Sequence, residues 1–146
     1  MSTTSTKGVA PRITHLLETG LYVGDVGRSQ TFYAALMGFE LFFEDGRMAA
    51  LGVPGAGVLL LFLRGASREA VRMPGGLLPG HDGSGQMHLA FGIPLAELPA
   101  WEARLAALGV AVESRVTWPR GGTSLYFRDP DDHLVELATP GLWPHV

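Results

Sequence analysis

The spacing of apolar and polar residues predicts one series of elements, a strand, a helix and three strands, that occurs twice along the chain. In the first half, the residues from Glu18 to Val23 alternate and favour a strand. A helix follows, which Asp25 can cap and which Gly38 ends. Three more strands are predicted at residues 39–43, 47–53 and 58–63.

The second half repeats this series. A strand is predicted over residues 87–93, and apolar residues spaced three and four apart from Leu95 to Leu108 then predict an amphipathic helix. Gly109 ends that helix. Strands are predicted next at residues 110–116, 124–128 and 134–139.

Landmarks in the two halves lie at similar offsets, which indicates an internal duplication. The separation of Glu18 from His88 is nearly the same as that of the two glycines that end the helices. The slightly larger shift that relates Pro54 to Pro130 also places Leu60 on Glu136. Two units of this kind can also match by chance, so the offsets alone leave both explanations open.

The chain is predicted to form one domain, because 146 residues suffice for a single sizeable core. We expect a disordered tail at residues 1–12 and a domain at 13–146. Module one would occupy 13–63 and module two 87–140, joined by a linker loop at 64–86. The linker is rich in Gly and Pro, with a short helix expected near Glu69. A loop of this length is often functional.

Three ionisable residues stand on strands that are otherwise apolar. Strand alternation places Glu18, His88 and Glu136 each on the less apolar face of its strand, with a small residue two positions further on. A space lined by two carboxylates and an imidazole suits a divalent metal ion. The alternative is that each side chain is merely exposed to solvent. It is weakest for Glu136, because apolar residues surround that carboxylate and an unpaired buried charge is costly.

Composition narrows the classes of function. About 47% of the residues are hydrophobic, the formal net charge is −3 and there is no cysteine, so disulfides and thiolate chemistry are excluded. The chain has no stripe of basic residues, so nucleic acid is not expected as a partner. The longest apolar run, residues 58–63, is too short to cross a membrane. The N-terminal residues lack the apolar centre of a signal peptide, so we expect a cytoplasmic protein.

Motifs at three places resemble those of a known family. The first is Glu18-Thr-Gly-Leu-Tyr-Val-Gly-Asp25, followed by Leu36-Met-Gly-Phe39, and the second is His88-Leu-Ala-Phe91. The third is Ser124-Leu-Tyr-Phe-Arg-Asp-Pro130, followed by His133-Leu-Val-Glu-Leu137. With them, the chain from Ile13 to Pro140 resembles the glyoxalase–bleomycin resistance–dioxygenase superfamily, also called the vicinal oxygen chelate superfamily. The resemblance implies an α+β fold in which two paired βαβββ modules form a curled mixed sheet around a central cavity, often completed in a homodimer.

The resemblance also implies a site and a function. Glu18, His88 and Glu136 match the positions of the family's metal ligands, which hold a divalent ion such as Mn, Fe, Ni or Zn. The implied function is a metal-dependent lyase, isomerase or dioxygenase that acts on a small oxygenated molecule. The alternative is a non-catalytic protein of the bleomycin resistance type that binds a drug or antibiotic.

Departures from the family patterns bear on the reaction. Glyoxalase I has a fourth ligand where the duplication places Leu60, which puts a site of that type in doubt. Fosfomycin-modifying members have an Arg shortly after the last ligand, whereas no Lys or Arg follows Glu136 here. Extradiol dioxygenases use two His and one Glu, and the first of these His is replaced by Glu18.

Two further residues are candidates for catalysis. His81 precedes the His88 strand in a Gly-rich loop and can act as an acid–base group, although a loop histidine is more often merely exposed. Tyr126 lies on the final hairpin. Two roles are open for it: contact with the substrate, or stabilisation of the strand alone. We expect His133, in the turn before the last strand, to be exposed.

Overall fold

The protein forms two four-stranded sheets, described by a computed structural model over residues 8–55 and 57–146. The predicted tail falls partly outside those residues, and residues 8–17 have no regular secondary structure. In the first sheet the order is β1-β4-β3-β2, and the strands are β1 (Glu18–Val23), β2 (Glu40–Glu44), β3 (Met48–Gly52) and β4 (Val58–Leu63). In the second the order is β7-β10-β9-β8, and the strands are β7 (His88–Gly92), β8 (Ser114–Thr117), β9 (Thr123–Arg128) and β10 (Leu134–Ala138).

The two sheets share the same strand pairing. In each module the first strand runs parallel to the last, and the last is antiparallel to the strand before it. The registers correspond residue by residue, because the paired positions are Glu18–Val58 and Gly20–Leu60 in the first sheet, and His88–Leu134 and Ala90–Glu136 in the second. The offsets read from the sequence are therefore the offsets of structurally equivalent strands.

One helix follows the first strand of each module. Helix α1 (Val26–Met37) begins where the Asp25 carboxylate accepts a hydrogen bond from the Arg28 N–H, and ends at Gly38, whose φ is 71°. A left-handed residue at this point closes the last turn, and glycine adopts that conformation without strain. The predicted cap and stop of this helix are confirmed.

The second helix is shorter than its apolar pattern. Residues 95–97 form a 3₁₀ turn, and helix α2 (Leu98–Ala107) continues from it. Leu98 and Leu105 are buried, whereas Leu95 and Leu108 are exposed at the two ends of the pattern. Within residues 8–55 and 57–146, no helix is long and apolar enough to span a membrane.

Two sequence predictions outside the helices need correction. The linker contains a hairpin of β5 (Val71–Met73) and β6 (Gly76–Leu78) instead of a helix near Glu69, because the Pro-Gly pair between those strands makes a tight turn. Residues 110–113 lie outside β8, although the Glu113 N–H still donates to the Tyr126 carbonyl at 2.7 Å.

The hydrophobic core lies on one face of each sheet, with the helices. Phe32 of α1 packs near Phe127 of the second sheet, with ring centroids 6.5 Å apart. Arg104 of α2 donates to the carbonyl oxygens of Ala35 and Leu36 at the end of α1. Because the helices and the core cover one face of each sheet, the opposite faces are left open, and these carry the ionisable residues.

The turn between β9 and β10 joins the two modules. The Asp129 carboxylate accepts hydrogen bonds from the buried Tyr33 hydroxyl at 2.6 Å and from the backbone N–H of Asp131 and His133. Burial, followed by the charge of Asp129, holds the pKa of Tyr33 far above its usual range, so this hydroxyl remains a donor.

His133 is fully buried, so the prediction that it is exposed was wrong. Its Nδ1 accepts a hydrogen bond from the Met87 N–H at 2.9 Å, and its Nε2 lies 2.8 Å from the Tyr22 carbonyl oxygen, which accepts the ring proton. The turn folds back between β7 and β1, and the imidazole satisfies one backbone group of each module.

Candidate metal centre

His88 and Glu136 meet on the open face of the second sheet. The Nε2 of His88 lies 3.2 Å from Oε1 of Glu136, and the two side chains are 52% and 6% exposed. Their strands β7 and β10 are parallel neighbours, so the residues lie within reach although they are not directly opposed. The predicted pairing of these two residues at one site is present in a single chain.

A backbone carbonyl sets the orientation of the His88 ring. The Nδ1 atom lies 3.0 Å from the Leu134 carbonyl oxygen, which can only accept, so Nδ1 carries the proton. In the neutral ring, the lone pair of Nε2 then points towards the Glu136 carboxylate. Two lone pairs that face each other favour a cation between them, and a metal-binding histidine is usually held by its second nitrogen in this way.

The carboxylate of Glu136 is fixed from its other side. Ser124 Oγ donates to Oε2 of Glu136 at 2.5 Å, and the Trp118 indole N–H donates to Ser124 Oγ at 2.8 Å. Sequence reasoning missed Ser124, although strand alternation places it on the face of Tyr126, two residues away. The hydrogen bonds leave Oε1 as the oxygen directed towards His88.

An open groove of about 1020 Å³ surrounds these residues. Tyr126 lines it, directly opposite Glu136 in the antiparallel register, with its ring centroid 6.3 Å from that of His88. Burial, followed by the Glu136 charge, raises the pKa of Tyr126, so the phenol stays protonated at neutral pH. The rest of the lining is mostly apolar and includes Trp118 and Trp143.

Glu18 is not part of this groove. Over the described part of the chain, no three His, Asp or Glu side chains come close enough to hold one ion. Glu18 is exposed on the open face of the first sheet, in the position that His88 occupies in the second. Its assignment as the third ligand therefore stays a prediction.

His81 lies over the first sheet, beside a different groove. Its Nδ1 is 2.6 Å from the hydroxyl oxygen of Tyr22, and its ring packs edge-on against Phe62 with centroids 4.5 Å apart. This groove of about 330 Å³ shares no lining residue with that of His88 and Glu136. Within one chain, the structure therefore does not bring His81 to the predicted metal ligands.

Comparison with known proteins identifies the family. A model described as the Glyoxalase/Bleomycin resistance protein/Dioxygenase superfamily matches residues 12–137. The chain belongs to this superfamily. The observed fold of two βαβββ modules with open mixed sheets agrees with that membership and confirms the predicted fold class.

Individual superfamily relatives match to different extents. A crystal structure of lactoylglutathione lyase from Agrobacterium tumefaciens superposes with a TM-score of 0.83 and 32% identity, covering 92% of this chain and 99% of that one. Metallothiol transferase FosB from Bacillus licheniformis is 40% identical over 60 residues, which are 40% of this chain and 39% of that protein. The fosfomycin resistance protein FosX from Listeria monocytogenes shares the fold, with a TM-score of 0.65, 23% identity, and coverage of 90% of this chain and 99% of that one.

The donor set of the second module fits a divalent ion. An imidazole nitrogen and a carboxylate oxygen are borderline and hard donors that Mn, Fe, Ni and Zn all accept. Both are fixed by neighbours that leave the donor atoms free, and a groove remains open above them. The two side chains therefore fit part of the coordination sphere of a divalent ion.

Proposed function

We propose that this protein is a metal-dependent enzyme of the superfamily that acts on a small oxygenated molecule. The pairing of His88 with Glu136 on an open, mostly apolar groove carries the proposal. A divalent ion bound there would polarise neighbouring oxygens of the substrate and stabilise negative charge that develops on them. The reaction would be of the lyase, isomerase or dioxygenase type.

The third ligand would be Glu18 of a second copy. Glu18 and His88 are equivalent positions of the two modules, and both lie on open sheet faces. An open face of module one placed against an open face of module two would bring Glu18 towards His88 and Glu136. Exposed Leu41, Phe42 and Phe43 on the first sheet supply apolar surface for such a contact.

The chain's own residues would orient the substrate. Tyr126, protonated beside Glu136, would donate a hydrogen bond to a substrate oxygen, and Trp118 presents its ring to the groove because its N–H is already bound to Ser124. His81 of the second copy, whose loop lies over the same sheet as Glu18, would serve as the acid–base group.

Two observations bear on the class of substrate. Leu60 occupies the register position equivalent to Glu136, so the first module lacks the carboxylate that a four-ligand glyoxalase site would need at that position. Among the described residues that line the larger groove, none is Lys or Arg, which leaves a phosphonate without a partner on this side. Both favour a substrate other than those of glyoxalase I and the fosfomycin-modifying enzymes.

The second candidate function is a non-catalytic binding protein. The apolar groove with Trp118 and Trp143 favours it, because aromatic surfaces of this kind bind flat apolar molecules without chemistry. Metal affinity distinguishes the enzyme from the binding protein, because a non-catalytic binder of this type does not require a metal at the His88–Glu136 pair.

The test is metal binding by matched variants. Protein stripped with a chelator and reloaded with Mn, Fe, Ni or Zn should bind about one ion per chain and gain about 2.7 kcal/mol of stability at hundredfold excess over Kd. Glu136→Gln and Glu18→Gln should each weaken binding by about tenfold or more. Glu40→Gln, an exposed strand glutamate, is the control and should bind like wild type. If the wild-type protein had no measurable affinity for any of the four ions, the metal-dependent enzyme would be rejected in favour of the binding protein.

A further inference from the structure

A tyrosine and a histidine form a pair on the open face of the first sheet. Tyr22 lies on the same face of β1 as Glu18, four residues further along. Its hydroxyl oxygen is 2.6 Å from Nδ1 of His81, and the two ring centroids are 5.7 Å apart. No residue in the described ranges hydrogen-bonds to Nε2 of His81, so that nitrogen is left for another molecule.

The loop that carries His81 is held against the turn that follows β4. The His81 N–H donates to the Ser67 carbonyl at 2.8 Å. Asp82 accepts from the Gly65 N–H at 2.9 Å and pairs with Arg68 at 3.1 Å. These hydrogen bonds and the ion pair hold the loop on both sides of His81.

Close backbone approach adds a second constraint on this loop. A Cβ at Gly80 would lie 2.1 Å from the Arg68 carbonyl oxygen, and one at Gly83 would lie 2.6 Å from the Tyr22 ring. Only glycine allows the loop to lie this close to the turn after β4 at Gly80 and to Tyr22 of β1 at Gly83. The His81 ring is therefore preorganised rather than free to turn in solvent.

The tyrosine determines which ring nitrogen carries the proton. A phenol hydroxyl is a better donor than acceptor towards an imidazole nitrogen, so the 2.6 Å contact favours Tyr22 as the donor to Nδ1 and the ring proton on Nε2. Phe62 packs edge-on against the imidazole and holds its plane without making a competing hydrogen bond. The ring thus presents a fixed N–H donor above the open sheet face.

We propose that Tyr22 is a positioning residue that fixes the His81 ring with a proton on Nε2, and that Nε2–H of His81 binds an oxygen of the substrate held by His88 and Glu136 of a second copy. The inference rests on the proposed function, because it needs a metal site that faces module one of another chain. The ligand would be a molecule with an oxygen beyond those that the metal binds, such as a carbonyl or hydroxyl group.

The first measurement is the tautomer of His81 by long-range ¹H–¹⁵N NMR, with the signals assigned from His81→Asn. The wild-type spectrum should show the proton on Nε2. Tyr22→Phe, which retains the ring that packs against Gly83, should lose this preference, whereas Phe62→Leu should retain it. A wild-type ring protonated on Nδ1, or an unchanged tautomer in Tyr22→Phe, would overturn the role of Tyr22.

The second measurement uses Mn²⁺ as a paramagnetic probe on the same protein. If the arrangement is correct, substoichiometric Mn²⁺ broadens the ring signals of both His88 and His81, and Glu136→Gln abolishes both effects. Broadening of His88 alone would overturn the placement of His81 while leaving the metal site intact. Broadening of neither would reject the proposed metal site and, with it, this inference.

Discussion

Two histidines of this chain use their ring nitrogens in opposite ways. In His88, Nδ1 hydrogen-bonds to the Leu134 carbonyl and Nε2 faces the open groove. In His133, both ring nitrogens hydrogen-bond to backbone groups, those of Met87 and Tyr22. The first arrangement leaves a donor atom for a ligand, and the second leaves none. Hydrogen bonding, more than residue type, therefore separates a candidate site histidine from a structural one.

Ser124 offers a test at the residue scale. Ser124→Ala removes the hydrogen bond that fixes Oε2 of Glu136, so the carboxylate loses its orientation towards His88. We expect metal affinity to fall by about 10-fold to 100-fold, as for other groups that orient a ligand. The measurement is a metal titration against Ser114→Ala, an exposed serine on β8. Equal affinities in the two variants would show that Ser124 does not orient the ligand.

At this scale, the sequence predicted which strand face a residue occupies better than it predicted the residue's environment. Alternation on an apolar strand was sufficient to place Glu136 and His88 on the less apolar faces of their strands, where the structure brings them together. It failed for His133, because a polar turn normally lies in solvent and the sequence carries no sign that this turn folds back onto β1. Ser124 was missed because a serine on a strand has no distinctive spacing.

At the scale of elements, the turn from 129 to 133 fastens one module to the other. Asp131 accepts hydrogen bonds from the Gly24 N–H at 2.8 Å and from Ser29 Oγ at 3.0 Å, and it pairs with Arg28 and Arg64. Burial acts to raise the pKa of Asp131, but these hydrogen bonds and the two positive charges outweigh it and leave the pKa below its usual value.

Replacement of Asp131 tests this fastening. Asp131→Asn keeps the shape but removes the charge, and we expect a loss of about 2 kcal/mol of unfolding free energy at pH 7. A carboxyl with a lowered pKa stabilises the fold above its unfolded pKa and loses that effect as pH falls through its folded pKa. The variant should therefore approach wild type as the pH falls below about 4.

Urea unfolding at pH 7 and at acid pH measures the difference. Asp132→Asn is the control, since Asp132 has φ 68° and asparagine tolerates that conformation. A constant gap between Asp131→Asn and wild type at all pH values would contradict the electrostatic explanation.

The accuracy of the predicted elements followed the strength of their local signals. Strand β4 was predicted with its observed bounds, because its apolar run is uninterrupted between turn residues. Strand β8 is shorter than predicted, since its apolar and polar alternation continues into residues that pair only through Glu113. The hairpin of β5 and β6 was missed because such short strands cannot show a period.

At the scale of the whole molecule, each chain has two open sheet faces that carry complementary parts of the proposed site. Leu41, Phe42 and Phe43 are 40% to 56% exposed on the first sheet, and Trp143 is 70% exposed beside the second. Exposed apolar side chains clustered on a sheet face are typical of a surface that another chain covers. This exposure, together with the incomplete set of proposed ligands in one chain, supports the proposed homodimer.

Light scattering tests the homodimer at micromolar concentration. The expected mass is about twice that of the 15.6 kDa chain. Glu18→Gln should remain dimeric while it loses metal affinity, because its side chain serves the ion rather than the apolar contact. A monomeric mass for the wild type would contradict both the dimer and the position of Glu18 in the site.

The identical register of the two sheets has a consequence for how such a protein diverges. A repeated backbone provides four equivalent positions for ligands, two in each half, and in the proposed site Glu18, His88 and Glu136 would occupy three of them, while Leu60 holds the fourth. The halves have kept one architecture and divided the chemistry unequally. In the proposed site the second half would supply two of the three ligands, and the first half, which would supply one, would be freer to vary the surface that meets the substrate.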